Sequence, residues 1–440
     1  SGSTASADDW PQWQGPRGDG IYREPNTLTN FPPAGPKILW RTPIAAGYSS
    51  PSISSGRIYL TDRLAAPKAP RPRNALQRVS IPGAERVLCL DESDGKLLWK
   101  FEYPADYTMA YNAGPRAQPA VDGDRLYTLG GEGQLHCIDT KSGKPLWSKT
   151  FPTEDNPTPT WGYAAAPLVY NDKLICLTGG RGTLVTAYNK LTGDILWQSL
   201  SAKEPGYCAP TLIQAGGRTQ LIIWHPEALV SLDPETGKTF WSEPFPVRSG
   251  LSIPTPRLYH DTNLGDLLFV TSFYSGCMMM KLDPNEPKAT RLWKRAGRSE
   301  RMTDALHSII TTPWLQDGHI YGVDAYGQFR CLNIATGDRL WESFAPTTGA
   351  TGPVRWATTF ITPYTNGTEN IQHYFLAADN GDLITADLSP TGYHELSRAH
   401  ILQPTNSDPG HPVLWSHPAY ANHHVYWRND KELICASLTP

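Results

Sequence analysis

Seven tryptophans, Trp40, Trp99, Trp147, Trp197, Trp241, Trp293 and Trp341, recur 44 to 59 residues apart, and most of them close the same phrase. It reads LDESDGKLLW before Trp99, IDTKSGKPLW before Trp147, YNKLTGDILW before Trp197, LDPETGKTFW before Trp241 and LNIATGDRLW before Trp341. An apolar strand ends at Asp or Asn, a Thr, Ser or Asp followed by Gly turns the chain at positive φ, and a second short strand leaves through Leu-Trp. Each copy is therefore a β-hairpin. A period of this length marks stacked or radial repeats.

Two further strands precede each hairpin. One is apolar, as in GRIYL from Gly56, DRLYTL from Asp124, DKLICL from Asp172 and HHVYW from His423. The other is built of small residues around a proline, as in SSPSI from Ser49, RAQPAV from Arg116, CAPTL from Cys208 and SHPAY from Ser416. Eight such units follow one another, with strands A to D in chain order. The last unit lacks a D strand, whereas the chain opens with an orphan one, PKILW, ending at Trp40. Pairing the two closes a ring and removes exposed sheet edges. The expected fold is thus all-β: an eight-bladed β-propeller over residues 37–440, with residues 1–36 as an N-terminal extension packed on it. WPQW, with Trp10 and Trp13, is expected to lie across the outside of the ring. The repeated tryptophan reads as a wedge between blades.

At 440 residues a length prior would give two or three domains, but a radial repeat with neighbour contacts overrides it. A net charge of −3 with 18% charged residues gives no concentrated basic face for nucleic acid. The basic stretch Arg63 to Arg86 is proline-broken and reads as a loop insertion. No apolar run reaches membrane-spanning length, and no secretory leader is evident; the opening SGSTASA reads as a processed or engineered terminus. Four of seven cysteines, Cys89, Cys137, Cys331 and Cys435, share one C-strand slot in different blades. Such positions diverge radially beyond the ~7 Å Cα separation a disulfide needs, so they read as small core residues.

The repeated phrase resembles the PQQ-like propeller repeat shared by quinoprotein dehydrogenases and BamB-type envelope assembly lipoproteins. DWPQWQGPRGDG, GYSSPSI, DALHSIITTP, WSHPAYA and YWRNDKELIC look closest to exported PQQ-like propeller proteins of planctomycete and related bacteria. That resemblance implies a secreted or periplasmic protein. Quinoprotein dehydrogenases carry a vicinal cysteine pair over the quinone, a tryptophan beneath it and a calcium ion. This chain has no adjacent cysteines and no evident calcium cluster, so PQQ is not expected.

Function belongs to the face carrying the D-to-A and B-to-C connections, which are long, aromatic and charged. Relative to the A-strand proline, Tyr48, Arg116, Tyr207 and Trp415 lie three residues upstream, while Ser50, Gln118, Ala209 and His417 lie one upstream. The period of two turns both sets the same way, toward the central channel. Candidate ligand-binding residues are Arg116, Trp161, Tyr163, Arg248, Asp304, Arg355, Trp356, Trp415 and Arg428. Flat aromatics suit sugar rings, and arginines clamp carboxylates. The expected ligand is a small molecule or glycan, anionic in character. For catalysis of a lyase or hydrolase type, His307 or His417 would be acid or base, with Tyr207 or Tyr326 as partner and arginines stabilising negative charge. A divalent metal at His307, His417 and neighbouring acids is an open alternative that no motif spacing supports. The other functional class is a non-enzymatic scaffold for protein partners, like the BamB-type proteins.

Overall fold

The structure, a computed structural model, describes residues 9–440, and the opening SGSTASA lies outside the described residues. Eight antiparallel four-stranded sheets succeed one another along the chain. Blade 1 comprises Ser52–Ser54, Arg57–Ala65, Gly83–Asp91 and Leu97–Pro104. The inner A strands of blades 2 to 7 are Ala120–Asp122, Leu168–Tyr170, Thr211–Ala215, Arg257–Asp261, Trp314–Gln316 and Thr359–Tyr364. Blade 8 is composite: Ala419–Ala421, His424–Arg428 and Glu432–Ser437 are completed by Ile38–Pro43 from the start of the chain, with Trp40 opposite Cys435. The closure expected from the orphan strand is thus present. Among the described residues the only helical pieces are two single 3-10 turns, Arg248–Gly250 and Gly349–Thr351.

The Leu-Trp ending has a structural cause. In every blade the C-to-D pairing shifts register by one residue, immediately before the tryptophan where there is one. The skipped residue is Leu39, Leu98, Leu146, Leu196, Phe240, Leu292, Leu340 or Leu396. This β-bulge bends the outer strand and re-aims the next side chain. The tryptophan then reaches the following blade: the indole N–H groups of Trp40, Trp99, Trp147, Trp197, Trp293 and Trp341 donate to carbonyls of Glu92, Thr140, Lys190, Pro234, Ile334 and Ser389. Trp241 instead donates to Gln220 in its own blade.

Small residues face these rings across the sheet. Cys89, Cys137, Cys331 and Cys435 pair directly with Trp99, Trp147, Trp341 and Trp40, and with Tyr59, Tyr127, Tyr321 and Tyr426 on the other side. Each thiol is buried and unbridged. Its small volume lets the flanking tyrosine and tryptophan rings approach to centroid distances of 6.1 to 6.3 Å.

The N-terminal segment does not lie across the outside of the ring; it crosses the axis. Trp10 exchanges two backbone hydrogen bonds with Ile53 in blade 1, and the carbonyls of Pro11 and Gln12 accept from Val121 N–H and the Gln118 amide in blade 2. Trp13 Nε1 then donates to Thr255 Oγ1 at 2.9 Å, and Arg257 donates to Gln14 Oε1 and the Asp19 carbonyl, all in blade 5. Blades 1 and 5 face each other across an eight-membered ring. Tyr22 next pairs with Pro363 and Thr365 of blade 7, and Leu28 N–H donates to Leu438. The lower end of the channel buries Trp10 and brings Trp13 to the cavity, which suits two large aromatic side chains with a polar N–H handle.

Candidate functional site: an aromatic cup on the propeller axis

Because each A strand descends along the channel, alternate residues at its entry face the axis. Two tiers result. The upper contains Tyr48, Arg116, Ala164, Tyr207, Leu251, Ile310 and Trp415, three residues before their prolines, and the lower contains Ser50, Gln118, Ala166, Ala209, Ile253 and His417, one before. Together with Trp13 they line an axial cavity of about 420 Å³. Its mouth is formed by Tyr111, Trp161, Ser249, Tyr274, Arg355, Trp356 and Leu76, the last carried on the basic insertion of blade 1. Tyr274 and Leu76 are the only B-to-C residues lining it among the described residues; D-to-A connections supply nearly all the rest.

Seven predicted residues meet at this cup: His417, Tyr207, Arg116, Trp161, Arg355, Trp356 and Trp415. Arg116 is held without a carboxylate. Its guanidinium donates to the carbonyls of Gly114 (2.6 Å), Ala110 (2.9 Å) and Tyr111, approaches Met109 Sδ, and lies 5.2 Å from the centre of the Tyr48 ring. Arg355 stacks over Trp356 at 4.2 Å and donates to Glu300 (2.7 Å) and Tyr274 (3.2 Å). No Asp or Glu among the described residues lines the cavity. The nearest carboxylates stand behind it: Glu300 is engaged by Arg355 and Tyr326, and Asp408 accepts from the Tyr48 hydroxyl. The lining is therefore aromatic and cationic.

His417 sits at the bottom, edge-on to Trp13 at 5.4 Å and against Phe360 at 4.9 Å. Its Nδ1 lies 2.8 Å from the Pro418 carbonyl. A carbonyl only accepts, so the proton is on Nδ1 and Nε2 is left as an acceptor. Burial, aided by Arg257, pulls the imidazole down to a pKa of about 4, so it is neutral at pH 7. Burial also raises the Tyr207 phenol above its ordinary value, keeping it protonated.

The other predicted residues lie elsewhere. His307 has both nitrogens engaged, Nε2 accepting from Gly297 N–H at 3.0 Å and Nδ1 donating to the Phe273 carbonyl at 2.9 Å, within a loop braced by Asp324. Tyr326 donates to Glu300, and Asp304 forms a two-point ion pair with Arg295 on the periphery. Tyr163 is buried against Phe151. Arg428 is fully buried and donates to the carbonyls of Thr61 and Ala45, stitching blade 8 to blade 1. Arg248 is exposed beside the mouth, 4.8 Å over the Tyr274 ring. Polar residue type signalled chemistry at these positions, but backbone carbonyls and neighbouring charges hold most of them in place. Conversely, Leu251 and Ile310 share the three-before-proline position with Tyr48, a signal the sequence did carry. Tyr111 and Trp13 had none.

A closed ring of eight four-stranded blades with an axial, loop-face cup defines the class of PQQ-like β-propellers. The sequence profile described as outer membrane protein assembly factor BamB matches residues 83–343, and the chain belongs to that family. No curated protein sequence matches it. Among solved structures, BamB from Moraxella catarrhalis is 15% identical with a TM-score of 0.54, over 90% of this chain and 97% of that one. The quinohemoprotein alcohol dehydrogenase ADHIIG from Pseudomonas putida HK5 is 12% identical with a TM-score of 0.65, over 98% and 80%. That of Comamonas testosteroni is 13% identical with a TM-score of 0.64, over 100% and 82%. Likeness at this identity speaks for the fold alone.

The fold therefore raises the question of a quinone with its calcium ion. Among the described residues no carboxylate lines the cup and no three His, Cys, Asp or Glu side chains converge as a metal site, and the seven cysteines are buried singly.

Proposed function

We propose that the axial cup binds a small anionic, ring-bearing ligand, with uronate-type glycans as the chemical class. The observation that carries this reading is Arg116: a guanidinium at the cavity wall whose partners are carbonyls and a thioether, in a lining without carboxylates among the described residues. A charge so placed keeps its attraction for an anion. Nine aromatic side chains around it offer faces to a sugar ring, and His417 Nε2 can accept from a hydroxyl. Recognition is favoured over turnover. Most glycoside hydrolysis uses two opposed carboxyl groups, and no Asp or Glu among the described residues lines the cup. We also propose an exported location, in keeping with the outer-membrane role in the family's description. No helix among the described residues is long and apolar enough to cross a membrane.

Calorimetric titration with D-glucuronate, D-galacturonate and their neutral parent sugars tests this. Uronates should bind and the neutral sugars should not, and Arg116→Ala should weaken uronate binding by about 10-fold or more, the scale of one charge-assisted hydrogen bond. Equal responses to charged and neutral sugars, or unchanged affinity in the variant, would reject the site. The second reading, a face that docks a protein partner, is favoured by the family match itself. It predicts partner capture that survives substitutions inside the cup.

A further inference from the structure

The lower end of the channel limits what can enter the upper. The segment from Trp10 to Asp19 spans the ring along a diameter, anchored by backbone pairing to Ile53 on one side and by Arg257 to Gln14 and Asp19 on the other. Its anchoring residues in the A strands, Ile53, Val121 and Arg257, follow the cavity-lining tiers in chain order, so the segment lies beneath them. Between the anchors, Trp13 is the one part of the segment that reaches the cavity. Its indole is oriented by Thr255 and packs edge-on to His417. Gly15, at φ +77°, turns the chain there, and a Cβ on it would stand 2.9 Å from the Trp10 ring.

Resting on the anionic-glycan reading, we propose that Trp13 is a ligand platform closing a blind-ended cup, so that the protein recognises the end of a uronate chain, one or two residues deep, and never threads the polymer. A volume of about 420 Å³ lies near the lower bound of ordinary ligand pockets, about 300 Å³, which holds a chain terminus and not an extended oligomer. The flat indole at the closed end meets the apolar face of the terminal ring, while the positive charge of Arg116 attracts its carboxylate nearer the mouth.

The test compares di- and hexagalacturonate by calorimetry on the full chain. End-on binding gives dissociation constants that agree within about threefold, because residues beyond the second stay in solvent. Trp13→Ala, and Trp13→Leu as the variant that retains apolar bulk, should each weaken both ligands by about 10-fold, corresponding to ~1.4 kcal/mol. Melting curves confirm which variants remain folded. Affinity rising more than 10-fold from dimer to hexamer, or folded Trp13 variants that bind as the parent does, would overturn the blind-ended cup and leave the anionic-glycan reading standing. Binding of neither oligomer by the parent protein would overturn both.

Discussion

Glycine and histidine carry the sharpest constraints at the level of single residues. Gly143 takes φ +71° in the hairpin turn of blade 2, and a Cβ there would stand 2.6 Å from the Trp99 ring of blade 1. Gly95 faces Trp40 and Gly237 faces Trp197 in the same way. The Gly of the repeated phrase is thus demanded twice, by the turn and by the neighbouring tryptophan. Gly143→Ala is expected to cost about 1–3 kcal/mol, read as a lowered urea midpoint with unchanged slope. His136 and His417 set a pH dependence. Burial holds each at a pKa of about 4, whereas the unfolded chain protonates them near ~6.5. The unfolded state then binds more protons between those values, so stability should fall as pH drops from about 6.5 to about 4 and level off below. Glu85, buried among Tyr103, Tyr107 and Gly131, has its carboxyl raised by desolvation and opposes part of this trend. A His136→Gln variant should flatten the urea-midpoint slope across pH 4 to 6.5; an unaltered slope would show that His136 titrates normally.

Strands, hairpins and ring closure were legible because their signals are local and repeated eight times. Proline position, Thr-Gly turns and Leu-Trp endings each reflect one backbone requirement. The bulge was not legible, since a skipped residue looks like any leucine until pairing is known. Half of the cup could be read from the period of two at the A-strand entries: Tyr48, Arg116, Tyr207, Trp415 and their lower-tier partners all line it. His307 shows the limit. It lies in the expected D-to-A connection, but that loop folds onto Asp324 and spends both ring nitrogens on the backbone. Trp13 shows another, because Thr255 of blade 5, which orients its indole, is 242 residues away, and blade 2 meets the adjoining residue Gln12 only through its carbonyl. The Cys slot opposite the tryptophan was legible as packing, and its fit to the Tyr and Trp rings explains why a small side chain stands there.

For the molecule as a whole, closure depends on the first forty or so residues. Removing residues 1–30 takes away the axial segment and its contacts to blades 1, 2, 5, 7 and 8, but leaves Ile38–Pro43 to complete blade 8. A lowered melting temperature with an unchanged elution volume is expected. Extending the deletion through residue 43 bares the edge of Glu432–Ser437, and self-association should then appear in size-exclusion chromatography. An unchanged elution volume with native melting behaviour after the longer deletion would show that closure contributes nothing.

The pairing of Ile38–Pro43 with Glu432–Ser437 also sets a timetable. During synthesis the opening strand emerges nearly four hundred residues ahead of its mate, and Trp13 waits likewise for Thr255. A nascent or truncated polypeptide can build individual sheets yet possesses no finished binding chamber. The ring is therefore completed only once Glu432–Ser437 has been made, so cutting away either partner strand reopens it while leaving seven four-stranded sheets whole.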